Sequence, residues 1–285
     1  RRAFQRRCLS LGRSRSRELN DVLDEVKRLA DSGYKEIVFA GIQLGAYGLD
    51  FSQARATHRV APTLIDVLEK SSEIPGIERL RLSSIEPTDV KPELIKVLRD
   101  NPKLCHHLHI PLQSGDDTVL KGMNRRHGRQ FYIELVSQLR QAMPDFSLTL
   151  DVMAGFPGET EECFENTVKL IETVRPLKCH VFPYSRREGT RAANFAQEVP
   201  VDVKKLRVKR LIELGERLGR EIRLTYVGQK MDALVEVSKK NSTLLHALTR
   251  NYLKVCFQGK SEWMGKSVPV ELLTLQGDLF LAKAW

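Results

Sequence analysis

The sequence lacks any apolar run near the roughly 20 residues that a membrane helix needs, and its start shows no apolar signal segment. Neither a helical membrane span nor a secretory leader is expected, and the expected location is the cytoplasm. Cysteine is sparse and unpaired: Cys8, Cys105, Cys163, Cys179 and Cys256 form no CxxC and are odd in number. Such spacing excludes a disulfide framework and a structural zinc ribbon, and most of these thiols read as small apolar fillers. No P-loop and no Ser-His-Asp order is present, which removes the familiar nucleotide-hydrolase and acyl-transfer readings. Internal repeats at solenoid period are absent too.

Acid is missing where base is abundant. Residues 1–17 hold seven arginines and no acidic residue, whereas residues 227–285 hold eight basic side chains against five acidic ones. Residues 18–226 balance, with 31 of each sign, so the formal charge of +10 sits at the two ends. A neutral body with basic flanks fits a polyanionic partner, and nucleic acid is expected. With Arg at position 1 and that acid-free start, the chain also reads as one cut at its front.

At 285 residues the chain has room for one large domain and a small one. Apolar runs end in polar or glycine-rich segments at Glu36–Gly41, Leu80–Pro87, Leu108–Gly115, Leu148–Glu159 and His180–Ser185, and helix-patterned stretches separate them. Strands expected at about 35–41, 77–84, 106–111, 147–154 and 178–183 alternate with helices, the pattern of a parallel α/β barrel with right-handed crossovers. In such barrels the strands' carboxyl ends share one side, where chemistry occurs. Asn20 reads as the cap of a helix that precedes the first of these strands, which implies a sixth strand still earlier. Phe131, Leu135 and Leu139 mark a later helix, and residues 202–223 read as a long basic amphipathic one. From Gly228 the period becomes two, with short strands at Met231–Val237, Tyr252–Phe257, Val268–Leu273 and Leu279–Leu281, the pattern of a small β-barrel. The expected domains are a basic segment 1–17, the α/β body 18–226 and the β-barrel 227–285.

Candidate ligand groups lie at the strand ends. Gly41 and Gly45 would let a ligand approach backbone, and Gln43 could bond it. That segment opens a long loop instead of a helix, so it is not a dinucleotide fingerprint. Ser84 and Glu86, then Gln113 and Ser114, offer hydroxyl, carboxylate and amide groups suited to ribose or a zwitterion. Asp151 interrupts an apolar run and needs a partner, and Gly155 could admit a flat ring. Of His106, His107 and His109, the last two would share one strand face, with no nearby acid to complete a metal site.

In chain order, the motifs Gly12–Arg17, Gly41–Gly48, Leu82–Pro87, His109–Gly115, Asp151–Thr160, His180–Ser185 and Thr249–Val255 resemble the radical S-adenosylmethionine methylthiotransferases, from about Gly12 to the end. Leu44-Gly-Ala-Tyr-Gly48, Leu82-Ser-Ser-Ile-Glu-Pro87 and His180-Val-Phe-Pro-Tyr-Ser185 look most like the branch acting on threonylcarbamoyladenosine in tRNA. The branch acting on isopentenyladenosine, and the one acting on a ribosomal protein, fit less well.

The resemblance implies a partial (βα)6 barrel without its first strand and cluster loop, followed by an RNA-gripping TRAM domain. It implies S-adenosylmethionine and a four-iron, four-sulfur cluster as cofactors and tRNA as partner, with neither DNA nor membrane involved. Gly41, Gln43, Ser84, Glu86, Gln113, Ser114, Asp151 and Gly155 would surround S-adenosylmethionine. Arg250, Lys254, Lys204 and Lys205 would contact RNA. The resemblance also places three cluster cysteines just before Gly12, yet Arg2 and Gln5 stand at two of those places and Cys8 is out of register. The expectation is a carboxyl-terminal portion of such an enzyme, inactive by itself, with no catalytic or metal-ligating residue of its own. A non-catalytic RNA-binding protein that keeps the barrel as scaffold is the alternative.

Overall fold

The computed structural model describes residues 15–51, 61–237 and 244–285; Cys8 and the start of the Gly12–Arg17 motif lie outside them. Helix α1 (Leu19–Asp31) begins one residue before Asn20, with Glu18 at the cap position, so Asn20 sits in the first turn instead of capping it. Its buried contact is Val26, with Leu23, Leu29 and Ala30 packed alongside. Strand β1 (Glu36–Phe39) follows, then α2 (Leu64–Ser72), which a Thr63–Asp66 capping box opens. Next come β2 (Arg79–Leu82), α3 (Pro92–Asp100, with proline in its first turn), β3 (His107–His109) and α4 (Asp117–Gly122). Helix α5 (Arg129–Ala142), β4 (Ser147–Ala154), α6 (Glu161–Val174), β5 (Lys178–Pro183) and α7 (Val201–Leu224) complete the α/β body. In α5 the buried aromatic is Tyr132; Phe131 is exposed, and the Tyr132 hydroxyl donates to the Ile110 carbonyl.

All pairings among β1–β5 are parallel. Strands β1 and β2 pair along their length, as do β3, β4 and β5, and bridges Leu80–Leu104 and Ser84–His109 join the two sets. The result is a five-stranded parallel array with helices over its outer face, a partial parallel α/β barrel. Leu80, Leu82, Leu108, Leu148, Leu150 and Val152 face the helices and are buried. The alternate positions, which face the lumen, are largely polar.

A second barrel of five strands follows: β6 (Lys230–Val235), β7 (Leu244–Thr249), β8 (Lys254–Gln258), β9 (Ser267–Gln276) and β10 (Leu279–Ala284). It closes in the order β10-β8-β7-β6-β9, around Val235, Val255, Phe257, Val270 and Phe280. Strand β7 was not among the four expected from the sequence. Strand β8 starts at Lys254 because Tyr252, with φ of 71°, belongs to the turn before it.

Candidate functional site

The lumen of the parallel array is built from every second residue of its strands. At the amino-terminal ends, Arg79 and Arg81 of β2 project inward and share the Glu36 carboxylate, with Arg81 Nε 2.8 Å from Glu36 Oε1. Both guanidiniums are buried. The second barrel completes their shell with backbone carbonyls: Arg79 donates to Leu248 and Asp232, and Arg81 to Thr249 and Arg250. Ser147 donates to the Asn251 carbonyl at the start of β4. The turn Thr249–Leu253 therefore seals the amino-terminal end of the lumen.

Above this floor lies a chain of polar groups. Thr149 Oγ1, buried in β4, stands 3.1 Å from His107 Nε2 and 3.0 Å from His109 Nδ1. His109 Nε2 faces Asp151 Oδ1 at 3.2 Å, which supplies the partner that this carboxylate requires. The His180 ring meets His109 edge to face, with centroids 5.7 Å apart. Burial pushes His107 well below the ordinary imidazole range and lowers His180 less strongly. His106 points away and pairs with Asp145 instead.

The predicted ligand groups follow the carboxyl ends of β1–β4 on one side of the array. Gly41 and Gln43 are exposed after β1. Ser84 bridges His109 in the backbone ladder. Glu86 is held by Arg125 at 3.0 Å, a residue that sequence reasoning missed because it arrives from the turn after α4. Gln113 bridges Val152 in a left-handed conformation, φ 66°.

Two expected groups turn elsewhere. Ser114 is buried, with its hydroxyl 3.3 Å from Thr167 Oγ1 on α6 and accepting from the Asp116 amide, so it points behind the sheet and away from the mouth. Gly155, at φ 78°, is not an open cradle: a Cβ there would lie 2.1 Å from Lys204 Cγ, so the Lys204 stem covers it. Gly45 is likewise filled, by Asp89.

The charge on α7 is also more committed than the sequence implied. Arg207 forms a buried pair with Glu159 at 2.8 Å and reaches Glu161; Arg210 pairs with Glu165, and Arg217 with Glu172. This ladder zips α7 to α6 and leaves Lys205 as an exposed cation of the expected basic cluster. Arg250 donates to the carbonyls of Pro102 and Glu78, and so fastens the two barrels. Lys254 is exposed but paired with Asp278 at 2.8 Å.

A radical SAM superfamily profile matches residues 5–171. The chain belongs to that superfamily. A TRAM domain profile matches residues 224–276, over the second barrel. Among curated relatives, tRNA-2-methylthio-N(6)-dimethylallyladenosine synthase of Acetivibrio thermocellus is 39% identical over 93% of this chain and 54% of its own length. Threonylcarbamoyladenosine tRNA methylthiotransferase MtaB of Bacillus subtilis is 38% identical over 92% of this chain and 57% of its own. The chain thus spans little more than half the length of these relatives. In fold, Escherichia coli coproporphyrinogen III oxidase, a radical SAM enzyme, superposes with a TM-score of 0.51 at 12% identity, over 93% of this chain and 63% of that one.

Superfamily membership implies S-adenosylmethionine and a four-iron cluster. The strand-end carboxylates and amides suit the hydroxyl and amino groups of the former. For the cluster the described residues do not fit. Among them no three His, Cys, Asp or Glu side chains come together as metal ligands. Cys105, Cys163, Cys179 and Cys256 lie on separate elements, and burial pushes the Cys105 thiol to about 11 and the Cys179 thiol to about 12, far from the thiolate that binds iron.

Proposed function

We propose that this chain is the carboxyl-terminal part of an enzyme that methylthiolates tRNA at C2 of N6-threonylcarbamoyladenosine beside the anticodon. One observation carries the reading: likeness to tRNA methylthiolating proteins extends over 92–93% of this chain, and so spans most of both barrels. The choice of adenosine rests on the loop motifs of the sequence, since the two kinds of relative are equally similar. S-adenosylmethionine, when bound, supplies methyl and radical chemistry. The chain's own groups bind and orient it: the Asp151 and Glu86 carboxylates accept from ribose hydroxyls or the ammonium, and Gln43 and Gln113 offer amides. Gly41 gives backbone access to the same mouth. On RNA, Lys205 and Lys254 meet phosphates, with Lys204 beside them.

By this reading the chain binds its ligands but does not turn over without cluster thiolates. Anaerobic reconstitution with iron and sulfide should leave it well short of a stoichiometric four-iron cluster, and a full cluster would overturn that part. Anticodon stem-loops carrying threonylcarbamoyladenosine, isopentenyladenosine or plain adenosine should bind in that order of affinity, more weakly as salt rises. Equal affinity for all three would remove the substrate assignment. The lack of a cluster-binding group among the described residues favours one other reading, a non-catalytic RNA-binding protein, which predicts the same salt dependence but no heat of binding with S-adenosylmethionine.

A further inference from the structure

Four side chains in the lumen form a line from the second barrel to the proposed cofactor mouth, and their protons admit one order in the neutral state. His109 Nε2 stands 3.2 Å from an Asp151 carboxylate oxygen, which repels a lone pair and attracts an N–H, so Nε2 carries the proton. A neutral His109 then has a bare Nδ1, and the Thr149 hydroxyl, 3.0 Å away, donates to it. That hydroxyl has one proton, so its oxygen accepts from the other neighbour, His107 Nε2, at 3.1 Å. That order leaves His107 Nδ1 bare, at a buried position where it has no hydrogen-bond partner of either kind. Each link fixes the next, because a hydroxyl between two imidazoles cannot donate to both.

The far end of this line is held by the second barrel. Tyr252 stacks on His107 with centroids 4.0 Å apart and planes 7° from parallel, and the Arg81 guanidinium lies over the Tyr252 ring, 5.3 Å from its centre. Tyr252 holds a left-handed backbone, φ 71°, which is strained for a bulky residue. Strain of that kind persists where surrounding contacts demand one geometry.

We propose that His109 is a positioning residue that presents an N–H to Asp151, and that Thr149 carries the same donor order on to His107, the imidazole that the β-barrel clamps with Tyr252. The effect is to hold the Asp151 carboxylate turned to accept from a cationic or hydroxylated ligand, in register with the docking of the RNA-binding domain. The assignment of Asp151 to a ligand mouth rests on the function proposed above; the relay itself does not.

Long-range proton–nitrogen correlation spectra of the full chain, labelled at histidine, test the relay directly. In the unsubstituted protein and in Thr149→Ser, both His107 and His109 should appear as Nε2–H tautomers. In Thr149→Val the His107 signal should lose that single form and split between tautomers, and Tyr252→Ala should do the same. A His109 protonated at Nδ1 in the unsubstituted chain, or spectra unchanged by Thr149→Val, would overturn the proposal. S-adenosylmethionine titrations separate it from the mouth assignment. Asp151→Asn and Thr149→Val should each weaken binding by about 3–10-fold, the worth of one hydrogen bond, with Thr149→Ser close to unsubstituted. If neither substitution alters binding while the tautomers hold, the mouth is wrong and the relay stands; if only Asp151→Asn weakens it, the mouth stands and the coupling is wrong.

Discussion

At the scale of single residues, the Gln113-Ser-Gly115 segment shows how one backbone angle divides ligand groups from packing groups. Gln113 bridges β4 with φ 66°, and this left-handed kink turns the next residues behind the sheet. Gly115 is then pressed on α6, where a Cβ would lie 2.6 Å from the Thr167 Cα. Because that neighbour is backbone, Gly115→Ala must push α6 outward; the expected loss is about 1–3 kcal/mol in urea unfolding. Ser114→Ala should cost about 1 kcal/mol of stability and leave S-adenosylmethionine affinity unchanged, whereas Gln113→Ala should reverse that order. Sequence alone displayed the right residue types here. It could not tell which way the chain turns after the strand, so it assigned Ser114 to the mouth.

The buried histidines carry a second consequence at this scale. Burial is the main cause that lowers His107 and His127 below the ordinary value of 6.5. A depressed imidazole stays neutral when folded, but the unfolded chain takes up a proton below about pH 6.5, so stability is whole above that pH and falls as pH drops. Each such group contributes up to about 1.4 kcal/mol per pH unit within its window. Chemical denaturation at pH 7, 6 and 5 should therefore show declining midpoints, and His107→Gln should flatten the decline. A midpoint that is constant or rises toward pH 5 would contradict these burial assignments.

At the scale of elements, the most consequential contact is the one that seats α7 on the turn after β4. Glu159 bonds the Gly155 amide, and Arg207 binds both the carboxylate and the carbonyl of Glu159. Burial still pushes the Glu159 carboxyl up from its ordinary value, with Arg207 opposing. Truncation by Arg207→Ala would strand that carboxylate, at an expected cost of about 3–5 kcal/mol. Adding Glu159→Gln should recover much of the loss, whereas Arg217→Ala on the exposed part of the ladder should cost below about 1 kcal/mol. Thermal melts of the three variants beside the unsubstituted chain check the order.

The same elements explain what the sequence made legible. The body strands and α7 were visible because one face of each is uniformly apolar and abuts helices or sheet, as with Leu211, Leu214 and Leu218. Strand β7 was hidden because Leu244, Leu245, Ala247 and Leu248 blur the period of two. Helix α4 has six residues, too few to display a period of 3.6. The interface residues Arg79 and Arg81 were not singled out in the sequence, because most of their partners across the seam are backbone carbonyls, which sequence does not encode as a pattern.

At the scale of the whole molecule, those two arginines decide how the barrels behave together. Two buried cations share one carboxylate, and the charge that Glu36 leaves uncompensated is solvated by carbonyls from the second barrel and by Ser267. Water cannot take over while the barrels stay docked. Glu36→Gln keeps the side-chain shape but removes the only negative charge paired with either guanidinium among the described residues, so docking must either bury two bare cations or give way. An expected loss of about 3–5 kcal/mol corresponds to a drop on the order of 10 °C for a chain of this size. The unsubstituted chain should melt in one calorimetric transition, because Arg79, Arg81, Arg250 and Ser147 all tie the barrels at one seam. Glu36→Gln should melt lower and in two, with the β-barrel transition unshifted by S-adenosylmethionine. Double substitution with Arg81→Met removes the excess cation and should restore part of the lost cooperativity. If Glu36→Gln melts in a single transition at the unsubstituted temperature, the seam is not what joins the two barrels, and the path from Tyr252 to Asp151 loses its anchor.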